Sequence, residues 1–234
     1  MNTFFTDAFR DLPPEELEAY HRTVFLNMET PAAERLRCEY YRAKLRRMGT
    51  GVRIGRGVTI VNPERISLGD NVVIDDHCTL IARSERGIAL DTGARLMHRV
   101  YLDTEGADGY IEIGARVYVG TACLLHGHNG LVIGEDSLLA QNITITPYSH
   151  IFEDSDRPII AQGGHTRTVT IGRDCYLGMS VTVLYSADIG DGAVVGSGSV
   201  VVKSVPPYSV AVGVPAKVIR KRGRSDDDPE SRES

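Results

Sequence analysis

The sequence has no tryptophan, only four cysteines, and fewer basic than acidic side chains, 26 Lys and Arg against 31 Asp and Glu. Cys38, Cys78, Cys123 and Cys175 show no CxxC spacing, which excludes a cysteine-based zinc module and gives no sign of a disulfide framework. A net charge of −5 argues against a duplex nucleic-acid binder, which is usually basic overall. No stretch of about 18 apolar residues occurs, so no membrane span is expected. The opening MNTFFTDAFRDLPPEEL lacks the basic start and apolar centre of a secretory signal, and a cytoplasmic protein is expected. With 42% hydrophobic and 24% charged residues, the chain otherwise reads as an ordinary folded protein.

What is present is a count in sixes. Ile171, Leu177, Val183, Ile189, Val195 and Val201 are all aliphatic, and the small residues Cys175, Val181, Ala187, Ala193 and Ser199 follow the first five at a fixed offset of four. At roughly 45% apolar usage, six hits in six arise by chance about once in a hundred. Helices repeat near 3.6 and strands near 2, so a period of six points to a parallel β-helix of hexapeptides. The register extends back through Ile145, Leu139, Ile133, Leu125, Val119 and Ile113 to Ile54, with a slip before Ile88. Cys78, Cys123 and Cys175 occupy small-residue slots and read as buried packing, not nucleophiles. Phrases such as Leu131-Val-Ile-Gly and Val169-Thr-Ile-Gly place a glycine where a corner needs positive φ or where a side chain would clash. With three hexapeptides to an 18-residue coil, residues 51–205, less an irregular stretch at 150–168, give about seven to eight coils.

Ahead of this domain, residues 1–50 read as a helical segment. Asp11 and Pro13-Pro14 mark one start, and Thr30-Pro31 marks a second, an N-cap followed by proline at the first helical position. Leu36, Tyr40 and Tyr41 are expected on one face, and Arg42, Lys44, Arg46 and Arg47 in the last turns. Stacked coils need their ends covered; these helices cap one end and residues 206–220 the other. Residues 221–234 lack an apolar complement and are expected to be disordered.

The strict register fails between Ile145 and Val169, where an excursion loop at 150–168 carries His150, Glu153, Asp154, Asp156, Arg157 and His165. Irregular loops on a rigid scaffold are where chemistry concentrates. His150 falls where the coil ends and the loop begins. A second irregularity, His126-Gly-His128-Asn129-Gly, adds two residues to its coil.

Three stretches carry a family resemblance: Gln141-Asn-Ile-Thr-Ile-Thr-Pro-Tyr-Ser-His150 with its loop, Val169-Thr-Ile-Gly-Arg-Asp-Cys-Tyr-Leu-Gly178, and Val205-Pro-Pro-Tyr-Ser-Val-Ala-Val-Gly-Val-Pro-Ala-Lys-Val-Ile-Arg220. They resemble the hexapeptide-repeat acyltransferases, in particular maltose and galactoside O-acetyltransferases and enzymes that acetylate surface-polysaccharide precursors. The resemblance implies an all-β, left-handed parallel β-helix, a homotrimer, and acetyl-CoA as donor with no metal. It makes His150 the general base toward a hydroxyl, since an imidazole can take the proton as the oxygen attacks a thioester carbonyl. It assigns the Met179 backbone N–H to the developing oxyanion, and Tyr176 and Gly178 to the donor wall, Tyr176 standing where tryptophan is usual. Gly196 and Ser197 then line the pantetheine groove, and Lys203 and Lys217 face the CoA phosphates.

The sequence departs from the galactoside enzymes at Ala122, where they carry an acceptor-binding asparagine. His126, His128, Asn129 and Asp154 become the candidate acceptor contacts. The reading is an acyl-CoA-dependent O-acyltransferase acting on a sugar or polysaccharide precursor by direct attack. Amino-sugar or antibiotic acetylation stays open on the same site. Two readings of other classes also stand: a zinc hydratase using His126, His128 and His150, and a non-catalytic trimeric scaffold.

Overall fold

The computed structural model describes residues 13–223. Three sheets with six, nine and seven members, parallel except for the last strand of the second, form the sides of a solenoid of about seven coils. The first side runs from Arg47–Met48 through Ile66–Leu68, Gly87–Leu90, Tyr110–Ile113 and Leu131–Ile133 to Val169–Ile171. The second runs from Arg53–Ile54 to Val194–Val195 and Ser209–Val212, and the third from Thr59–Val61 to Val200–Val201. Each coil sends one aliphatic inward per side. Ile74, Leu96, Val119, Leu139, Leu177 and Val195 form one such stack, all essentially inaccessible. A single coil cannot hide these groups, so stacking supplies the stability.

The uniform 18-residue coil holds only at the C-terminal end. Tyr176 pairs with Val194, 18 residues on, whereas Arg53 pairs with Val73 at 20 and Tyr110 with Gly87 at 23. The extra residues sit at corners, so the inward aliphatics keep their alignment. The corner glycines also divide in role. Gly134 and Gly172 are not in the left-handed region. A Cβ on Gly134 would lie 2.5 Å from the Arg173 nitrogen, and on Gly172 2.6 Å from the Asp191 nitrogen. Close approach of the next coil demands glycine there, and positive φ falls two residues on, at Asp136 and Asp174.

Cys78, Cys123 and Cys175 are buried, with Sγ donating to the carbonyls of Met97 (3.0 Å), Ala140 (3.1 Å) and Gly190 (3.2 Å). Burial pushes the Cys78 thiol up to about 12 and Cys123 up to about 11, which rules them out as nucleophiles at neutral pH.

Helix α1, Pro14–Asn27, and helix α2, Pro31–Arg42, pack over the first coil. Asp11, the other proposed start signal, lies outside the described residues. Thr30 caps α2 as expected, its Oγ1 accepting from Ala33 N–H at 3.1 Å. The inward face differs from expectation: Ala33, Arg37 and Tyr41 are buried, at i, i+4 and i+8, while Leu36 is 49% exposed. Arg37 turns inward because three carbonyls need a donor. Its Nε donates to Ile54 O (2.9 Å), and Nη1 to Phe25 O (2.9 Å) and Met28 O (2.8 Å). One guanidinium thus ties the end of α1 to α2 and to the first coil. Arg37→Met is expected to cost about 2–4 kcal/mol, since it leaves those carbonyls without a donor. Urea unfolding followed by circular dichroism measures it, and an unchanged midpoint would refute the role.

At the other end, Lys217–Lys221 folds back antiparallel on Ser209–Val212 and ends the parallel stack. The expected disorder from 221 is corrected here: Lys221 lies in this strand, and Arg222 Nη1 holds Asp174 Oδ2 at 2.9 Å and Gly192 O at 3.1 Å. The rest of that tail, 224–234, lies outside the described residues.

Candidate functional site

The chain leaves the third side after Ile145 as a β-ribbon, earlier than a loop starting at 150. Tyr148–His150 pairs antiparallel with Gly164–Thr166. The period of two along a strand puts Tyr148 and His150 on one face of the ribbon. Tyr148 Oη lies 3.2 Å from His150 Nδ1, and the two rings meet edge-on at 4.8 Å. His150 is exposed in the single chain, so its own subunit does not shield it from water.

Below the ribbon the other irregularity arrives at the same corner. His128 stacks on Tyr148 with centroids 4.8 Å apart, and His126 lies 5.6 Å from His128. Tyr101 follows at 6.1 Å from His126. The result is a ladder of rings, Tyr101, His126, His128, Tyr148, His150, rising across three coils. Asp103 pairs in register with His126, so two residues on Glu105 reaches His128, its Oε2 lying 2.7 Å from Nε2. Burial pushes the His128 imidazole below its ordinary range, outweighing the upward pull of Glu105. Asn129 bonds through its backbone, its carbonyl accepting from Thr168 Oγ1 at 2.9 Å. Asp154 is occupied within its own loop, Oδ1 accepting from Asp156 N–H at 3.0 Å, and no contact joins it to the imidazoles.

The structure therefore gathers His126, His128 and His150, but not as a zinc triad. Tyr148 stands between His128 and His150, so the three imidazoles do not converge. Tyr148, Tyr101 and Glu105 were not singled out from sequence. Tyr148 was legible, two residues before His150 in an extended stretch. Glu105 was not, because its approach depends on the coil register.

Tyr176, Gly178, Met179, Gly196 and Ser197, assigned to the donor, stand at a different corner, between the second and third sides, whereas Lys203 follows the third-side strand Val200–Val201 at the corner the ribbon leaves. Tyr176 opens the strand Tyr176–Leu177 of the second side, and Met179 follows at the turn, 53% exposed. Among the described residues no acceptor takes the Met179 N–H, while its carbonyl accepts from Gly198 N–H at 2.8 Å. Gly178 packs against the next coil, where a Cβ would come within 2.6 Å of Ser197. At Gly198 a Cβ would meet nothing within 4 Å, so bare backbone beside Ser197 faces open space. Lys203 and Lys217 are exposed and enter no ion pair among the described residues. From Met179 to the level of Thr146, where the ribbon departs, the third side spans about five residues, or about 16 Å at strand rise. The two half-sites of one chain thus flank opposite edges of a wall.

A family model described as bacterial transferase hexapeptide (six repeats) matches residues 168–203. This hexapeptide chain is 36% identical over 115 residues to a probable acetyltransferase of Mycobacterium tuberculosis, covering 49% of this chain and 38% of that protein. It is 33% identical over 113 residues to the galactoside O-acetyltransferase of Escherichia coli, covering 47% of this chain and 54% of that one. The hexapeptide chain thus spans from about two fifths to just over half the length of these curated relatives. Its fold is shared with AntD, an N-acyltransferase from Bacillus cereus solved with dTDP and 3-hydroxybutyryl-CoA. That likeness has a TM-score of 0.56 at 22% identity, over 80% of this chain and 89% of that one. Among the described residues no helix is long and apolar enough to cross a membrane.

Proposed function

We propose that the chain is an acyl-CoA-dependent O-acyltransferase that moves acetyl from acetyl-CoA to a hydroxyl of a sugar or surface-polysaccharide precursor. The observation that carries this reading is the division of the site. An imidazole with a hydroxyl partner stands at one corner, and a free backbone N–H beside a bare glycine strip stands at another. Packing the first corner of one chain against the second corner of a neighbour, in a closed homotrimer, joins them. It also covers His150 and the exposed Tyr176 and Met179 together. A cavity of about 600 Å³ beside Arg37 and His98 lies under the N-terminal helices and not at this site. A site shared by two chains is not enclosed by either one alone.

The donor's contribution is a thioester carbonyl with a thiolate leaving group. With Tyr148 Oη accepting from Nδ1–H, the Nε2 lone pair of His150 is free to take the acceptor's hydroxyl proton as the new C–O bond forms. The Met179 N–H donates to the oxyanion, worth typically 10²–10³-fold in such sites. His150 returns its proton to the departing sulfur as the C–S bond breaks. No side-chain nucleophile takes part, in line with the buried thiols. His126, His128 and Asn129, below Tyr148, face the acceptor side, and the unpaired Lys203 and Lys217 attract the donor's phosphates. The similarity to a protein named galactoside O-acetyltransferase supports a sugar hydroxyl. Purified chain incubated with acetyl-CoA and a panel of sugars, amino sugars and nucleotide sugars should release free thiol with at least one hydroxyl acceptor. Thiol release with amines alone would move the assignment to N-acylation, and acetyl-CoA binding absent by calorimetry would overturn it.

A further inference from the structure

Two rungs of the ladder, with Glu105 beside them, have a geometry that acceptor contact alone does not account for. Glu105 Oε2 lies 2.7 Å from His128 Nε2 and 3.8 Å from His126 Nδ1. The ligand atoms of these three residues all lie within 4.8 Å of one another. His126 Nδ1 is buried and makes no hydrogen bond, although a carboxylate oxygen is aimed at it. A buried polar atom without a partner calls for an explanation. At 3.8 Å the pair is too far apart for a hydrogen bond. Two ligand atoms held tetrahedrally by one zinc-sized ion sit about 3.4 Å apart, given metal–ligand bonds of about 2.1 Å. The two observed separations straddle that value.

We propose that Glu105, His126 and His128 bind a divalent transition-metal ion of the zinc class, through Glu105 Oε2, His126 Nδ1 and His128 Nε2. Two imidazoles and a carboxylate leave one tetrahedral position for water or a substrate oxygen. The ion gives His126 Nδ1 its partner and replaces the Glu105–His128 hydrogen bond with two metal bonds, which moves those two ligand atoms from 2.7 Å to about 3.4 Å apart. It does not provide for His128 Nδ1, which is likewise without a partner. Burial holds the site half closed, with both imidazoles 19% exposed. The set differs from a three-histidine zinc site in excluding His150, and it stands whether or not the chain transfers acyl groups.

The test is metal binding by the full chain, stripped with chelator and titrated with Co²⁺ while the visible d–d bands are followed, then with Zn²⁺ in competition. One ion per chain is expected, with the intense bands of tetrahedral cobalt. Glu105→Gln and His126→Ala should each weaken binding at least tenfold, and His150→Ala should leave it unchanged. Circular dichroism identifies any variant that fails to fold, and His128→Gln is the substitute in that case. A wild-type chain that takes up no cobalt, or the same affinity in the ligand variants, would overturn the proposal. So would loss of binding in His98→Ala with retention in His126→Ala, which would place the ion at the separate Asp75, Asp76 and His98 cluster.

Discussion

Replacing His150 with alanine should lower kcat by at least about a hundredfold while acetyl-CoA affinity stays within about twofold. General-base contributions run at about 10²–10⁴, and the residue stands on the ribbon, away from the corner assigned to the donor. The structure adds a graded companion. Tyr148→Phe removes the hydroxyl 3.2 Å from His150 Nδ1 but keeps the ring against which His128 stacks. It should reduce kcat less than His150→Ala does, because the hydroxyl fixes which ring nitrogen carries the proton. Turnover and calorimetry on the same preparations decide the matter. Wild-type turnover in His150→Ala would remove the imidazole from the mechanism, and lost acetyl-CoA binding would recast it as a binding residue.

Mixing two inactive variants should restore activity. His150→Ala destroys the acceptor corner, and Ser197→Trp fills the open strip beside Gly198 at the donor corner. If each site takes one corner from each of two neighbouring chains, random reassembly gives about a quarter of the sites two intact halves. Mixtures refolded together should then show about a quarter of wild-type turnover, against a few percent or less for either parent. Sedimentation should return three times the 25.6 kDa chain mass. No recovery in a mixed trimer would mean that each site lies within one chain. That outcome would contradict the placement of Met179 and His150 on opposite edges of the third side.

The period of six made most of the fold legible. Inward aliphatics and small slots repeat because every coil meets the same steric environment, so spacing alone places Leu177, Val183 and Cys175. Thr30 and Pro31 marked α2 by cap chemistry alone. The inward face of α2 was not legible, because hydrophobicity favours Leu36, whereas the carbonyls of Phe25, Met28 and Ile54 require a donor and draw Arg37 inward. Coil length was not legible either, because extra residues collect at corners, where they disturb no inward position.

For the site, the sequence by itself determined which chemistry is on hand. His150 lies at the one long break in the register, and Met179 and the corner glycines lie at fixed offsets within it. Local spacing places these residues, since their positions depend only on where a coil turns, while their roles are what the family resemblance implies. Only the tertiary structure decided what stands beside what. Glu105 meets His128 because Asp103 and His126 are register partners more than twenty residues apart. Tyr148 separates His128 from His150 because a ribbon bends back over the coil below. His150 and Met179 stand at opposite edges of one wall because a three-sided coil sends successive turns in different directions, a property of the closed coil and not of any six residues in it.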